Sequence, residues 1–135
     1  MRFAGYAALF DRPDRGGDVV RRGAFAASLA RGGRVPLLWQ HAPARPIGRV
    51  EYLQEDGRGL RVIGRLSDGA AGREAAALLK DGTVRGLSFG YRVREAKGES
   101  PRELVAVELV EVSLVTFPMQ PRAQVHALEE SPEAV

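Results

Sequence analysis

The chain has 135 residues, a net charge of +3, no cysteine and two histidines, His41 and His126. This length supports one domain with a real core, and the missing thiols exclude a disulfide framework, a cysteine nucleophile and a Cys/His zinc site. No apolar run approaches the roughly 18 residues of a membrane span, and the first residues carry no signal-peptide pattern, so a soluble, non-exported protein is expected. The arginines are scattered among Asp and Glu, with no basic run interleaved with aromatics. Neither a dedicated nucleic-acid partner nor a membrane partner is expected.

Short β patterns dominate in chain order. Residues 3–10 read as a strand, followed by a polar loop over 11–18 rich in turn residues. Phe25 and Leu29 stand four apart in a short helix, 24–31, that stops at Gly32-Gly33. Residues 35–40 form an apolar strand, and His41 to Pro46 read as a loop stiffened by two prolines. Strands 47–54 and 60–66 flank Glu55-Asp56-Gly57-Arg58-Gly59, a hairpin signal. A second helix, 72–80, carries Ala75, Leu78 and Leu79 at helical spacing and ends at Asp81-Gly82.

The two longest strands are 83–95 and 103–117. In the later one both side-chain parities are apolar, which predicts a strand covered on both faces. The expected architecture is a mixed, β-dominated fold, a small antiparallel β-barrel of about seven strands with two or more short helices. Residues 1–128 form its single domain. The acidic tail 129–135 has little to bury and is expected to be disordered.

Three residues break the local patterns. Ser88 lies in Gly86-Leu87-Ser88-Phe89-Gly90-Tyr91, where alternation puts Leu87, Phe89 and Tyr91 on one face and Ser88 between two glycines on the other. A hydroxyl on a face cleared of side chains is displayed as a nucleophile would be. The same pattern also describes a small polar residue on a wet strand. Glu111 sits inside the doubly apolar strand, where an unpaired carboxylate would lose several kcal/mol of hydration, so it needs a histidine or arginine partner. His41 follows a strand end. It is either a structural rim residue or the imidazole that joins serine and carboxylate in an acyl-transfer triad. The segment also satisfies G-x-S-x-G, but no helix follows the serine and the chain is too short for an α/β-hydrolase sheet.

Taken in order, further segments carry a resemblance. They are Gly5-Tyr6-Ala7 with Phe10, Gly17-Asp18-Val19-Val20 with Gly23-Ala24-Phe25, and Val35-Pro36-Leu37-Leu38-Trp39-Gln40-His41 with Pro46-Ile47-Gly48. Gly59-Leu60, Gly72-Arg73-Glu74-Ala75, the Ser88 segment and Glu111-Val112-Ser113-Leu114-Val115-Thr116-Phe117-Pro118 complete the set. With them the chain resembles the prohead protease family of tailed bacteriophages and gene transfer agents, serine peptidases of capsid maturation whose fold is similar to that of the herpesvirus assemblin.

The resemblance implies His41 as general base and Ser88 as nucleophile, with no cofactor. Glu111 is the choice for third member, His126 the reserve, and Arg122 or the amides around Gly86 and Gly90 are the oxyanion candidates. It further implies as substrates the scaffolding segment of the major capsid protein and the protease itself, cut inside the prohead in the bacterial host cytoplasm. A homodimer is expected by analogy with assemblin. A non-catalytic assembly protein on the same fold is the alternative, and a nucleic-acid-binding barrel the third reading.

Overall fold

The computed structural model describes residues 1–130. In chain order the elements are β1 (Arg2–Leu9), β2 (Asp18–Val20), α1 (Ala26–Arg31), β3 (Pro36–Trp39), β4 (Ala42–Glu55), β5 (Gly59–Leu66), α2 (Ala70–Lys80), β6 (Gly86–Lys97), β7 (Arg102–Val115) and β8 (Val125–Glu129). Local chemistry sets the turns between them. The Asp56 carboxylate accepts the backbone N–H groups of Arg58 and Gly59 and closes the β4–β5 hairpin. Helix α2 buries Gly72, Ala75 and Leu79 on one face and stops where Gly82 takes φ +81°.

All eight strands join one sheet, and β7 organises it. One edge of β7 carries β6, antiparallel along nearly its whole length; the other edge is shared. There β2 pairs in parallel at Arg102 to Leu104 and β3 pairs in parallel at Val112 to Leu114. From β3 the sheet continues through β4, β5 and β1 to β8, all antiparallel.

This architecture corrects the expected antiparallel barrel. The sheet is mixed, because β2 and β3 both run parallel to β7. Its ladder also stays open. Among the described residues, the start of β6 meets the segment leading into β8 in an isolated bridge between Gly86 and Gln124, flanked by hydrogen bonds from Leu87 N to Ala123 O (2.9 Å) and from Val125 N to Arg85 O (2.8 Å). Strand β8 includes Glu129, which pairs with Arg2, so the expected tail boundary after 128 moves outward. Residues 131–135 of that tail lie outside the described residues.

The core lies against the face of β6 and β7 that carries Leu87, Phe89, Val112 and Leu114. Phe3, Phe25, Leu37, Ile47, Leu60 and Leu104 are among its fully buried side chains. Phe25 precedes α1 and stacks edge-on against Phe89 at 5.1 Å, which in turn lies 4.8 Å from Tyr91. Two backbone N–H groups, Gly23 and Phe25, donate to the Glu55 carboxylate at 2.8 Å and hold this approach in place. Phe25 thus braces β6 from behind, one residue from Ser88.

Phe25→Ala is expected to cost about 3–5 kcal/mol, the usual penalty for a core Phe truncation. Urea unfolding measures it, and a loss below about 1 kcal/mol would contradict this role for the ring.

Candidate active site

Strands β3 and β4 meet in a two-residue turn. Trp39 pairs with Ala42, and between them Gln40 and His41 take φ +52° and +60°. Left-handed backbone at both central positions is the type I′ signature, normally filled by Asn-Gly. Each such non-glycine residue costs of order 1 kcal/mol, so neighbours must hold the turn. Gln40 N–H donates to Leu114 O (2.9 Å), and the Gln40 amide clamps Thr116, donating to its Oγ1 (2.7 Å) and accepting from its N–H (3.0 Å). His41 N–H donates to Ser113 Oγ (3.1 Å).

This turn corrects the proline loop expected from His41 to Pro46, which belongs to β4. Pro46 pairs with Leu38, and residues 43–45 fall outside the one-to-one register between β3 and β4. Prolines suit such irregular positions because they lack the N–H a regular ladder needs.

Glu111 lies on β7 directly opposite Gly90 of β6. A Cβ at position 90 would stand 2.9 Å from Glu111 Cγ and 3.0 Å from Cδ, so the glycine makes room for the carboxylate. The side chain is 6% exposed as a residue, yet both oxygens are satisfied. His41 Nδ1 stands 3.0 and 2.9 Å from Oε1 and Oε2, and the Ser113 hydroxyl donates to the same carboxylate at 3.1 Å. An ionised carboxylate only accepts, which puts the proton of neutral His41 on Nδ1 and leaves Nε2 as the free base. The hydrogen bond to Glu111, aided by its negative charge and opposed by partial burial, raises the His41 pKa above 6.5.

Ser88 faces Ser113 across the β6–β7 ladder, so Ser88, Gly90, Glu111 and Ser113 share one face of the sheet. The two serines differ in chemistry. Ser113 is fully buried, with its hydroxyl occupied between Glu111 and the His41 amide. The Ser88 hydroxyl has no hydrogen-bond partner among the described residues, and the resting arrangement makes no Ser88–His41 bond. Ser88 as a residue is only 4% exposed, which corrects the open strand face expected for it. Glycine on either side clears no vacant surface: position 90 receives Glu111, and a Cβ at 86 would meet Val115 O at 2.7 Å and Pro118 Cδ at 2.8 Å.

The structure therefore brings His41 and Glu111 into direct contact and sets Ser88 on the same face. It does not bring His126 there. That ring lies on β8, 3.3 Å from Arg61 Nη1 and 5.9 Å from the Tyr6 ring centroid. Arg122 is exposed and lines a hollow with Arg12 on the outer surface. Near Gly86, the Leu87 amide is already bonded to Ala123 O. Sequence reading missed Ser113, Gln40 and Thr116. The signal for Ser113 was present in its shared parity with Glu111 two residues earlier, whereas the Gln40 clamp depends on a pairing between β3 and β7 that no local pattern announces.

A pKa raised by folding makes protonation and folding support each other. The pair's contribution to stability is full below 6.5 and is lost as pH rises through the folded value. An NMR titration of the His41 ring should place its midpoint above 6.5 in the native chain and lower in Glu111→Gln. A native midpoint at or below 6.5 would contradict the pairing.

Comparison with known proteins identifies the chain's relatives. The family model described as caudovirus prohead serine protease matches residues 1–135. The prohead protease of Enterobacteria phage HK97 is 33% identical over 136 residues, covering 94% of this chain and 60% of that protein. The chain thus spans about 60% of that relative's length. Among solved structures, the capsid assembly protease of bacteriophage T4 superposes with a TM-score of 0.66 at 14% identity, covering 84% of this chain and 80% of that one. The KSHV protease, solved with a hexapeptide phosphonate inhibitor, superposes with a TM-score of 0.63 at 12% identity, covering 92% and 63%. These two likenesses establish a fold shared with phage and herpesvirus proteases. On the family match along its whole length, the chain belongs to the caudovirus prohead serine protease family.

Proposed function

We propose that this chain is a serine endopeptidase of capsid maturation, with Ser88 as nucleophile, His41 as general base and Glu111 as the group that orients and charges the imidazole. The observation that carries this is the 2.9 Å contact from His41 Nδ1 to a carboxylate buried on the same sheet face as Ser88. With Nδ1 committed, only Nε2 is left to accept a proton.

The chemistry follows from those positions. In this reading a side-chain movement brings Nε2 to the Ser88 hydroxyl, as substrate binding commonly does for a loose apo site. His41 takes the hydroxyl proton while Oγ attacks the peptide carbonyl, and Glu111 stabilises the imidazolium that forms. His41 then returns the proton to the departing amine, leaving an acyl-enzyme that water hydrolyses by the same route in reverse. Beyond Gly86, the β6 edge away from β7 has no strand partner among the described residues, so an extended peptide can add there beside Ser88.

For the substrate, the family and the T4 relative's name as a capsid assembly protease support the scaffolding segment of the major capsid protein, and the protease itself, processed inside the prohead. Coexpression with the cognate major capsid protein tests this on a gel. The wild-type chain should yield a shortened capsid protein, and Ser88→Ala should leave it at full length. Unchanged processing in Ser88→Ala would overturn the assignment in favour of an assembly role. On a peptide substrate, Glu111→Gln is expected to lower kcat by about 10²–10⁴-fold. The acidic limb of the native kcat/KM profile should lie above pH 6.5, because His41 must lose its proton to act as base.

A further inference from the structure

The proposed mechanism uses neither His126 nor the arginines around it. On the outer face of β5, β1 and β8 lies a concavity of about 690 Å³ walled by Arg12, Arg22, Arg58, Arg61, Arg122 and His126. Tyr6 and Arg61 are cross-strand partners, which sends both side chains to this outer face. Two carboxylates stand nearby. Asp56 accepts from the Tyr6 hydroxyl and lies close enough to Arg61 to feel its charge. Asp11 is 3.6 Å from Arg22 but also 2.9 Å from Arg21. Arg12, Arg58 and Arg122 have no carboxylate partner among the described residues.

Arg2, Arg21, Arg65, Arg94 and Arg102, by contrast, are held in ion pairs. The larger hollow beside β3 and β4, about 750 Å³, holds only two arginines and also contains Glu51. Several guanidinium groups converging on one concavity focus positive potential there, and each is a planar fork matched to a carboxylate.

We propose that this concavity is a docking site for an acidic peptide segment with two or more carboxylates, and that it guides substrate to Ser88. Gln124 lines the hollow and bridges to Gly86, two residues before Ser88, so an occupant lies beside the β6 edge. A peptide fits better than a nucleic acid. A nucleic-acid strand wants cations in a row along its phosphates and free aromatic faces for its bases. Here the cations surround one hollow, and Tyr6 is engaged by Asp56 and His126. Only the step from docking to cleavage rests on the peptidase function proposed above.

Fluorescence anisotropy with labelled hexaglutamate tests the site in the Ser88→Ala chain, where cleavage is removed. Saturable binding is expected at low salt, weakening near 0.15 M, where the Debye length is about 8 Å. The triple variant Arg12→Gln/Arg58→Gln/Arg122→Gln should bind about tenfold more weakly, while the charge-matched Arg31→Gln/Arg34→Gln/Arg73→Gln keeps the native affinity. Single Arg122→Gln, expected to lose a smaller fraction, serves if the triple variant melts early. Absence of binding, or an equal loss in both triple variants, would overturn the site. Tighter binding of an oligonucleotide of equal charge would overturn it too, assigning the hollow to nucleic acid. Failure of docking in this assay leaves Ser88-dependent processing untouched, so the two proposals fail separately.

Discussion

A carboxylate in the middle of a β-strand has to be neutralised where it stands, and the arrangement around Glu111 follows from that requirement. Leaving it unpaired in a closed, largely apolar region would cost several kcal/mol. Its partners come from two places: the turn between β3 and β4, and Ser113 two residues along β7. For that turn to reach, β3 has to lie parallel to β7 at Val112 to Leu114, and position 90 of the opposite strand has to be glycine. The strained backbone at Gln40 and His41 is sustained in turn by the bonds to Leu114, Ser113 and Thr116. The parallel pair, the glycine and the amide clamp thus form one connected device.

That device gives two neighbouring serines opposite characters. Ser113 spends its hydrogen on Glu111 and its lone pairs on the His41 amide, which fixes it as a structural bridge. Ser88, directly across the ladder, carries a hydroxyl without a partner among the described residues. The imidazole is likewise divided, with Nδ1 held by the carboxylate and Nε2 free. One fixed relay and one uncommitted hydroxyl are what the proposed acyl transfer needs. The small exposure of Ser88 comes from its neighbours on that face: Glu111 fills the space at Gly90, and Val115 and Pro118 crowd Gly86.

The site was legible in sequence to the extent that its residues violated their surroundings. A charge inside an apolar run, a serine spaced between glycines and a histidine at a strand end each stood out from the local pattern. The residues that support them did not, because their role arises from register between distant segments. The same division holds for the fold. The β4–β5 hairpin and both helices followed from turn residues and periodicity, whereas β2 spans three residues and is created by its parallel partner. In β7 the doubly apolar pattern correctly marks the enclosed stretch from Glu111 to Val115, but Val110 is 42% exposed, since apolar parity alone cannot tell which part of a long strand leaves the core. The open ladder was beyond reach for a related reason: β6 and the residues ahead of β8 meet in an isolated bridge at Gly86 and not in a continuous pairing.

The central claim is that a paired His41 activates Ser88 and no other serine. Covalent labelling with a peptidyl phosphonate, mapped by mass spectrometry, addresses it directly. The account predicts one adduct, on Ser88, formed faster as pH rises through the His41 titration and nearly abolished in His41→Ala. An adduct on Ser113, or labelling of Ser88 at an unchanged rate without the imidazole, would contradict it.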